Sequence, residues 1–447
     1  MISKYFSPAW VLALNLLLFS SCLNSSSEDV EYSPDAQIYA FSLSSTTDTT
    51  DVLSDTEFTI DQINGKIFNK EPLPYLFHVD SVLLNITASS TYYPFSAVKL
   101  TLNPDSSYYW TETDSVDVNR LQRITTTAPD GLTNKSYDFE LRIHQEDPYI
   151  LSWEQKKSDY LPLPFDSQKT IAFKNRFITY LKSGSSIKAL SSDASDGTNW
   201  STVNPTGLPP TLTLSSLTPT QAAVFGLDST TGTVYQSSDG VNWGKVITPY
   251  TVKAIYGELP LATHGAILAA AEIDGQLTFV QTDDFTVLTS LNKVPTNLPV
   301  KDFSVTKVDL PEFYSKYLII TGGTTTENLF NNVVWILLEN NGSITHIHSR
   351  IPNTISLIGS SLFFYDDKPY LMISASGKNK LMYSENFGLD WVETAENQLF
   401  PENFTQRTSA SVITDEDNYI WIFGGISGTQ TQLADIWRGR LNKFDTN

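Results

Sequence analysis

The stretch Tyr235-Gln236-Ser237-Ser238-Asp239-Gly240-Val241-Asn242-Trp243 decides how this chain of 447 residues is read. A strand runs into a polar turn with an acidic acceptor and a glycine, and a tryptophan opens the next strand. The same design returns at Tyr383-Ser384-Glu385-Asn386-Phe387-Gly388-Leu389-Asp390-Trp391, and more loosely at Ser195-Asp196-Gly197-Thr198-Asn199-Trp200. The physics of the turn is local. A short acceptor side chain caps free N–H groups, glycine supplies a positive φ, and the tryptophan covers the edge of the sheet. A strand–turn–strand unit that recurs in a long β-rich chain predicts the blades of a propeller.

Working outward from this turn, residues 148–447 divide into units of about 45 to 50 residues, the length of one four-stranded blade. The units span Thr170–Val203, Leu212–Val246, Val252–Leu291, Phe303–His348, Ile355–Thr394 and Ser409–Phe444. Most contain a continuous apolar run, such as Ala222-Ala223-Val224-Phe225, Ala266-Ile267-Leu268-Ala269, Tyr317-Leu318-Ile319-Ile320 or Tyr419-Ile420-Trp421-Ile422-Phe423. Such runs suit strands covered on both faces by neighbouring blades. The count is six blades, with seven as the alternative. The last unit is one strand short, and Tyr149-Ile150-Leu151-Ser152-Trp153-Glu154 is predicted to pair with it and close the ring, removing two exposed edges.

Residues 36–147 alternate apolar and polar side chains over short runs, as in Val98-Lys99-Leu100-Thr101-Leu102 and Tyr137-Asp138-Phe139-Glu140-Leu141. Asn64-Gly65 between two such runs predicts a hairpin. One buried face and one wet face over about a hundred residues predict an immunoglobulin-like β-sandwich. The expected fold is therefore all-β, a sandwich at 36–147 followed by a propeller at 148–447.

The N-terminus supplies an address. Lys4 precedes a short apolar stretch, Trp10 to Phe19, that ends in Phe19-Ser20-Ser21 before Cys22, the only cysteine. This resembles the lipobox of bacterial lipoproteins, with Phe19 where leucine is usual. The resemblance implies a signal peptide at 1–21, cleavage before Cys22, and a lipid bilayer held through the acylated Cys22. Residues 22–35, rich in serine and acidic, are expected to form a flexible tether. With no second thiol, the fold must stand on packing alone. A formal net charge of -20 opposes sequence-independent nucleic-acid binding and attraction to an anionic membrane surface.

The opening turn resembles the Asp-box, Ser-x-Asp-x-Gly-x-x-Trp. Ser384, Asn386, Gly388 and Trp391 keep its spacing, while Ser237, Asp239, Gly240 and Trp243 lack one residue. Ile320-Thr321-Gly322-Gly323 with Trp335, and Ile422-Phe423-Gly424-Gly425 with Trp437, resemble kelch repeats without the kelch tyrosine. In Asp-box propellers these turns lie on the rim, so they mark the fold rather than a site. Arg350-Ile351-Pro352 resembles a sialidase tripeptide, but it follows the turn at Ser237, and the propeller offers only Arg176, Arg350, Arg407, Arg438 and Arg440.

Other chemistry is sparse. His346 and His348 share one face of a strand without a third ligand nearby, and Asp415-Glu416-Asp417-Asn418 reads as a hairpin turn rather than a calcium loop. No nucleophile elbow, phosphate loop or His-Glu-x-x-His occurs. The reading therefore assigns no catalytic residue, no metal and no cofactor. As a whole the chain resembles cell-envelope lipoproteins of Bacteroidetes. The resemblance implies an outer-membrane protein, exposed or not at the cell surface, that binds a glycan or an envelope protein through the propeller face without catalysis. A glycan hydrolase or lyase with acidic residues at the propeller axis is the alternative.

Overall fold

The computed structural model describes residues 32–444, apart from 46–50, 79–80, 90–93, 105, 163, 260–266, 311–314 and 353. The expected signal peptide, Cys22 and most of the expected tether lie outside the described residues. Two compact units divide between Asp147 and Pro148. Among the described residues no helix is long and apolar enough to cross a membrane.

The first unit holds two sheets around one core. A three-stranded sheet runs Ala40–Ser44, Val82–Thr87, Ser115–Val116. A six-stranded sheet runs Phe58–Asp61, Lys66–Asn69, Asn134–Glu140, Leu121–Thr127, Ala97–Leu102, Ser106–Tyr109. Gly65 turns the first hairpin at φ 62°, and Lys66–Asn69 pairs in parallel with Asn134–Glu140. Alternate residues such as Leu100, Ile124 and Tyr137 point inward to meet Phe41 and Leu84.

The second unit holds six sheets. Five are antiparallel meanders of four strands, within 167–203, 213–245, 251–293, 301–348 and 361–393. The sixth joins the two ends of the unit. Its inner edge is split into Arg407–Thr408 and Ser411–Thr414, its middle strands are Ile420–Ser427 and Gln432–Leu441, and its outer strand is Leu151–Lys157. That outer strand pairs antiparallel with Gln432–Leu441, Leu151 opposite Leu441 and Trp153 opposite Gly439.

The first strands of the sheets stand side by side about one axis: Ser167–Phe173, Thr213–Pro219, Thr251–Glu258, Lys301–Leu310, Ser361–Tyr365 and Ser411–Thr414. The sixth returns to the first. This is a β-propeller. Its second strands explain the continuous apolar runs, because side chains alternate across a strand and each face meets a different neighbouring sheet. Phe177 packs toward Trp421 and Phe423 of the sixth sheet, while Ile178 packs toward Val224 and Trp243 of the second. Leu318 and Ile319, and Trp421 and Ile422, divide in the same way between two cores.

The motif turns take part in this packing. Asp239 accepts the N–H groups of Val241 and Asn242, both at 2.8 Å, and Gly240 N–H donates to Ser237 Oγ at 2.9 Å. At the second copy, Gly388 N–H donates to Ser384 Oγ (2.7 Å) and Asp390 N–H to Asn386 Oδ1 (2.8 Å). Trp243 and Trp391 are buried between neighbouring sheets. Sequence reasoning missed a relative of these turns. At Thr282–Thr286, Phe285 N–H donates to Thr282 Oγ1 (2.7 Å) and Thr286 N–H to Asp284 Oδ1 (2.9 Å), with Phe285 in place of glycine at φ 66°.

Candidate functional site

The six first strands enclose the propeller axis, and their inward side chains divide it into three connected spaces. A cavity of about 390 Å³ opens where these strands begin, lined by hydroxyls of Ser215, Ser304, Ser361 and Ser411 with Lys169 and Phe303. A second, of about 410 Å³, opens where they end, with Glu258, Lys307, Phe364 and Thr414 on its wall. A waist of about 80 Å³ shares lining residues with both, among them Lys169, Leu217, Val305, Leu362 and Val412.

Strands of different sheets share no ladder here, so serine side chains supply the bonds that the ladder omits. Ser411 Oγ accepts Thr170 N–H at 2.9 Å, and Ser304 Oγ accepts Leu362 N–H at 2.8 Å. Ser361 donates to Ala410 O at 2.9 Å, and Ser215 donates to Asp302 Oδ1 at 2.6 Å. Several first strands are therefore tied to one another by groups that also line the channel.

The charges along the axis differ in how they are satisfied. Glu258 stands 3.4 Å from Lys307 and accepts Gln221 N–H at 3.1 Å. Lys182 Nζ lies 3.4 Å from Leu212 O. Lys169, on the first inner strand, has neither a hydrogen bond nor an ion pair among the described residues, and burial holds its pKa below that of an ordinary lysine. It lines all three spaces. Sequence reasoning did not single it out, because nothing local distinguishes it from a wet strand lysine.

A wider cleft of about 800 Å³ lies on the face where the first strands end, among Lys174, Arg176, Asp193, Asp415, Glu416 and Asp417. Its acids hold turns. Asp415 accepts N–H groups of Asp417 (3.1 Å) and Tyr419 (2.8 Å) and the indole N–H of Trp421 (2.6 Å). The side chain and then the N–H of Ser195 hold Asp193 below its usual pKa.

These observations, an all-β chain whose residues 148–447 close into a propeller, agree with its match to a family model. The model described as the DUF6242 beta propeller domain matches residues 147–447, and the DUF6242 N-terminal domain, of unknown function, matches 38–141. The chain belongs to the DUF6242 family. No curated protein matches this DUF6242 chain. Solved structures similar to it in fold include YjhT, at 10% identity and TM-score 0.42, covering 63% of this chain and 96% of that one. A structural genomics protein of unknown function from Bacteroides thetaiotaomicron is 12% identical at TM-score 0.40, covering 83% and 98%. Virginiamycin B lyase from Staphylococcus aureus is 12% identical at TM-score 0.35, covering 66% and 99%.

The DUF6242 propeller does not gather the arginines considered from sequence. Arg350 pairs with Asp390, and Arg407 is buried in a two-point bond with Asp435 at 2.7 and 2.9 Å. Arg438 pairs with Glu154, Arg440 Nη1 donates to Tyr419 Oη at 3.0 Å, and Arg176 donates to Asp239 O at 2.9 Å. His346 and His348 lie against Trp335, ring centroids 5.4 and 4.2 Å away. Burial and then the neighbouring His346 lower the pKa of His348. No group of three metal-ligating side chains occurs among the described residues.

Proposed function

We propose that this DUF6242 protein is a non-catalytic binding protein of the cell envelope, anchored through an acylated Cys22 and holding its ligand at the propeller axis. The ring is read as six-bladed and the first unit as immunoglobulin-like, lying along the chain between anchor and propeller. The observation that carries the binding reading is the state of the acids around the channel. Glycoside hydrolysis needs a carboxylic acid with a raised pKa and a second carboxylate across the scissile bond. Here Glu258 is neutralised by Lys307, Asp302 receives Ser215, and Asp415 is consumed by its own turn. Carboxylates whose pKa values are displaced, such as Asp193, Asp196, Asp228 and Asp239, are displaced downward.

What remains on the channel walls suits recognition of a polyhydroxylated ligand: serine hydroxyls, main-chain groups, and the half-buried rings of Phe303 and Phe364. A glycan is the preferred ligand, and an envelope protein is the other partner considered. The test is a glycan array probed with residues 30–447, followed by product analysis of every glycan bound. Retention of intact glycans supports the reading. Cleaved products would replace it with the enzyme, and an empty array with a copurifying envelope protein would replace the glycan with a protein partner.

A further inference from the structure

Lys169 is the cation that the rest of the axis does not use. Its strand, Ser167–Phe173, contributes to both cavities and to the waist between them, whose wall combines Leu217, Val305, Leu362 and Val412 with the hydroxyls of Ser304 and Ser361. The other ammonium groups on the channel have partners: Lys307 stands 3.4 Å from Glu258, and Lys182 lies 3.4 Å from Leu212 O. The carboxylates are also engaged, Asp302 by Ser215 and Glu258 by Lys307. Two hydroxyls complete the setting. Ser304 and Ser411 each accept a main-chain N–H, so each oxygen is fixed while its own O–H has no acceptor among the described residues. Both line the same cavity as Lys169.

An ammonium with no counterion among the described residues, on a cavity wall that also carries hydroxyl donors, is complementary to an oxyanion. We infer that Lys169, with the hydroxyls of Ser304 and Ser411, holds one oxyanion group, a carboxylate or sulfate ester, of a ligand that enters the axial channel. This rests on the axial-binding reading above and sharpens it. The ligand is an acidic glycan, held by its charged group at Lys169, Ser304 and Ser411 while its hydroxyls meet the rest of the serine-lined cavity. The chain's net charge of -20 gives such an anion no long-range attraction. Selection must therefore come from the short-range site itself.

The full-length protein is titrated with sodium acetate, sodium sulfate, a uronate-containing oligosaccharide and its neutral, reduced counterpart. The wild type is compared with Lys169→Met and Lys169→Arg. Methionine nearly keeps the length of the side chain and removes the unpaired charge, so Lys169→Met is expected to fold and to melt at a higher temperature than the wild type. Loss of a charge-assisted contact should weaken the uronate by about tenfold or more in Lys169→Met, with Lys169→Arg between the two. The second readout is the ¹³C-dimethylamine resonance of the reductively methylated protein that disappears in Lys169→Met. It should shift on addition of uronate, acetate or sulfate.

If uronate and neutral sugar bind alike in wild type and Lys169→Met, the oxyanion site is overturned and axial glycan binding stands. If acetate or sulfate moves the Lys169 resonance while no oligosaccharide binds, the oxyanion site stands and the glycan reading fails. A resonance that no anion moves, with Lys169→Met melting no higher than wild type, overturns the inference outright.

Discussion

At the scale of single residues, the charged groups of the propeller include carboxylates that hold turns, side chains in ion pairs, and Lys169 on the channel wall. Asp228 belongs to the first kind. Burial alone would raise its pKa, but bonds from the hydroxyls of Thr230 and Thr211 and from Thr230 N–H outweigh it and hold the group at about 2 against 3.8 for a free side chain. A depressed folded pKa stabilises the protein fully above the unfolded value and loses that contribution as pH falls toward the folded one. Asp228 should therefore contribute about 2 kcal/mol at neutral pH that disappears between about pH 4 and pH 2. Urea midpoints for wild type and Asp228→Asn should differ at pH 6 and converge near pH 2.

Arg407 shows the same principle in a dry setting. It is 1% exposed, and its guanidinium bonds Asp435, Gly424 O and Thr405 O. Removing one member of such a pair leaves the other charge buried, so Arg407→Met should destabilise the protein by about 3–5 kcal/mol. Arg407→Met with Asp435→Leu should recover much of that loss in a denaturant series, unless the indole N–H of Trp437, left without Asp435 Oδ2, limits the recovery.

At the scale of elements, the motif turns are docking pieces. Gly240 sits on Ile178, where an added Cβ would stand 2.5 Å from Cδ1, and its carbonyl accepts Tyr180 O–H at 2.5 Å. Gly388 sits on Ile319, Gly197 on Trp421, and Phe285 against Phe225 at 5.1 Å. In each case the turn between the third and fourth strands of one sheet packs on the second strand of the sheet before it. At Gly240, Gly388 and Gly197 glycine serves closeness as well as positive φ, whereas Phe285 takes the positive φ at 66° and packs its ring on the neighbouring sheet instead.

The outer strand Leu151–Lys157 makes a further close contact. Trp153 lies over Gly439, where a Cβ would come within 2.5 Å of the ring, and stacks toward Phe400 at 4.8 Å. Gly439→Val should displace Trp153 and destabilise the propeller by about 1–3 kcal/mol. Tryptophan fluorescence should report the displaced ring and the urea midpoint the lost stability. An unchanged midpoint would mean that this strand contributes little to closure.

At the scale of the whole molecule, the anchor is tested separately from the fold. Labelled palmitate should enter the wild-type protein in a bacterial host and be absent from Cys22→Ala, while the melting temperature of the soluble body stays the same. Label persisting in Cys22→Ala would remove the lipid anchor from the account.

The sequence by itself determined the all-β class and the propeller. Both rest on short-range rules: alternation along a strand, turn chemistry over six residues, and apolar runs where a strand is covered on both faces. Those rules also located Ser237, Asp239 and Gly240 as turn residues. They did not say which neighbouring sheet Trp243 would meet, because a local rule carries no information on tertiary neighbours. They passed over Lys169 altogether. A lysine in an alternating strand looks like any wet lysine until six first strands, drawn from across nearly 250 residues, stand around one axis and place it between Leu217, Val305, Leu362 and Val412. Only the tertiary structure decided that its ammonium has no counterion among the described residues, because partners at that distance along the chain are chosen by closure of the ring and not by sequence neighbours.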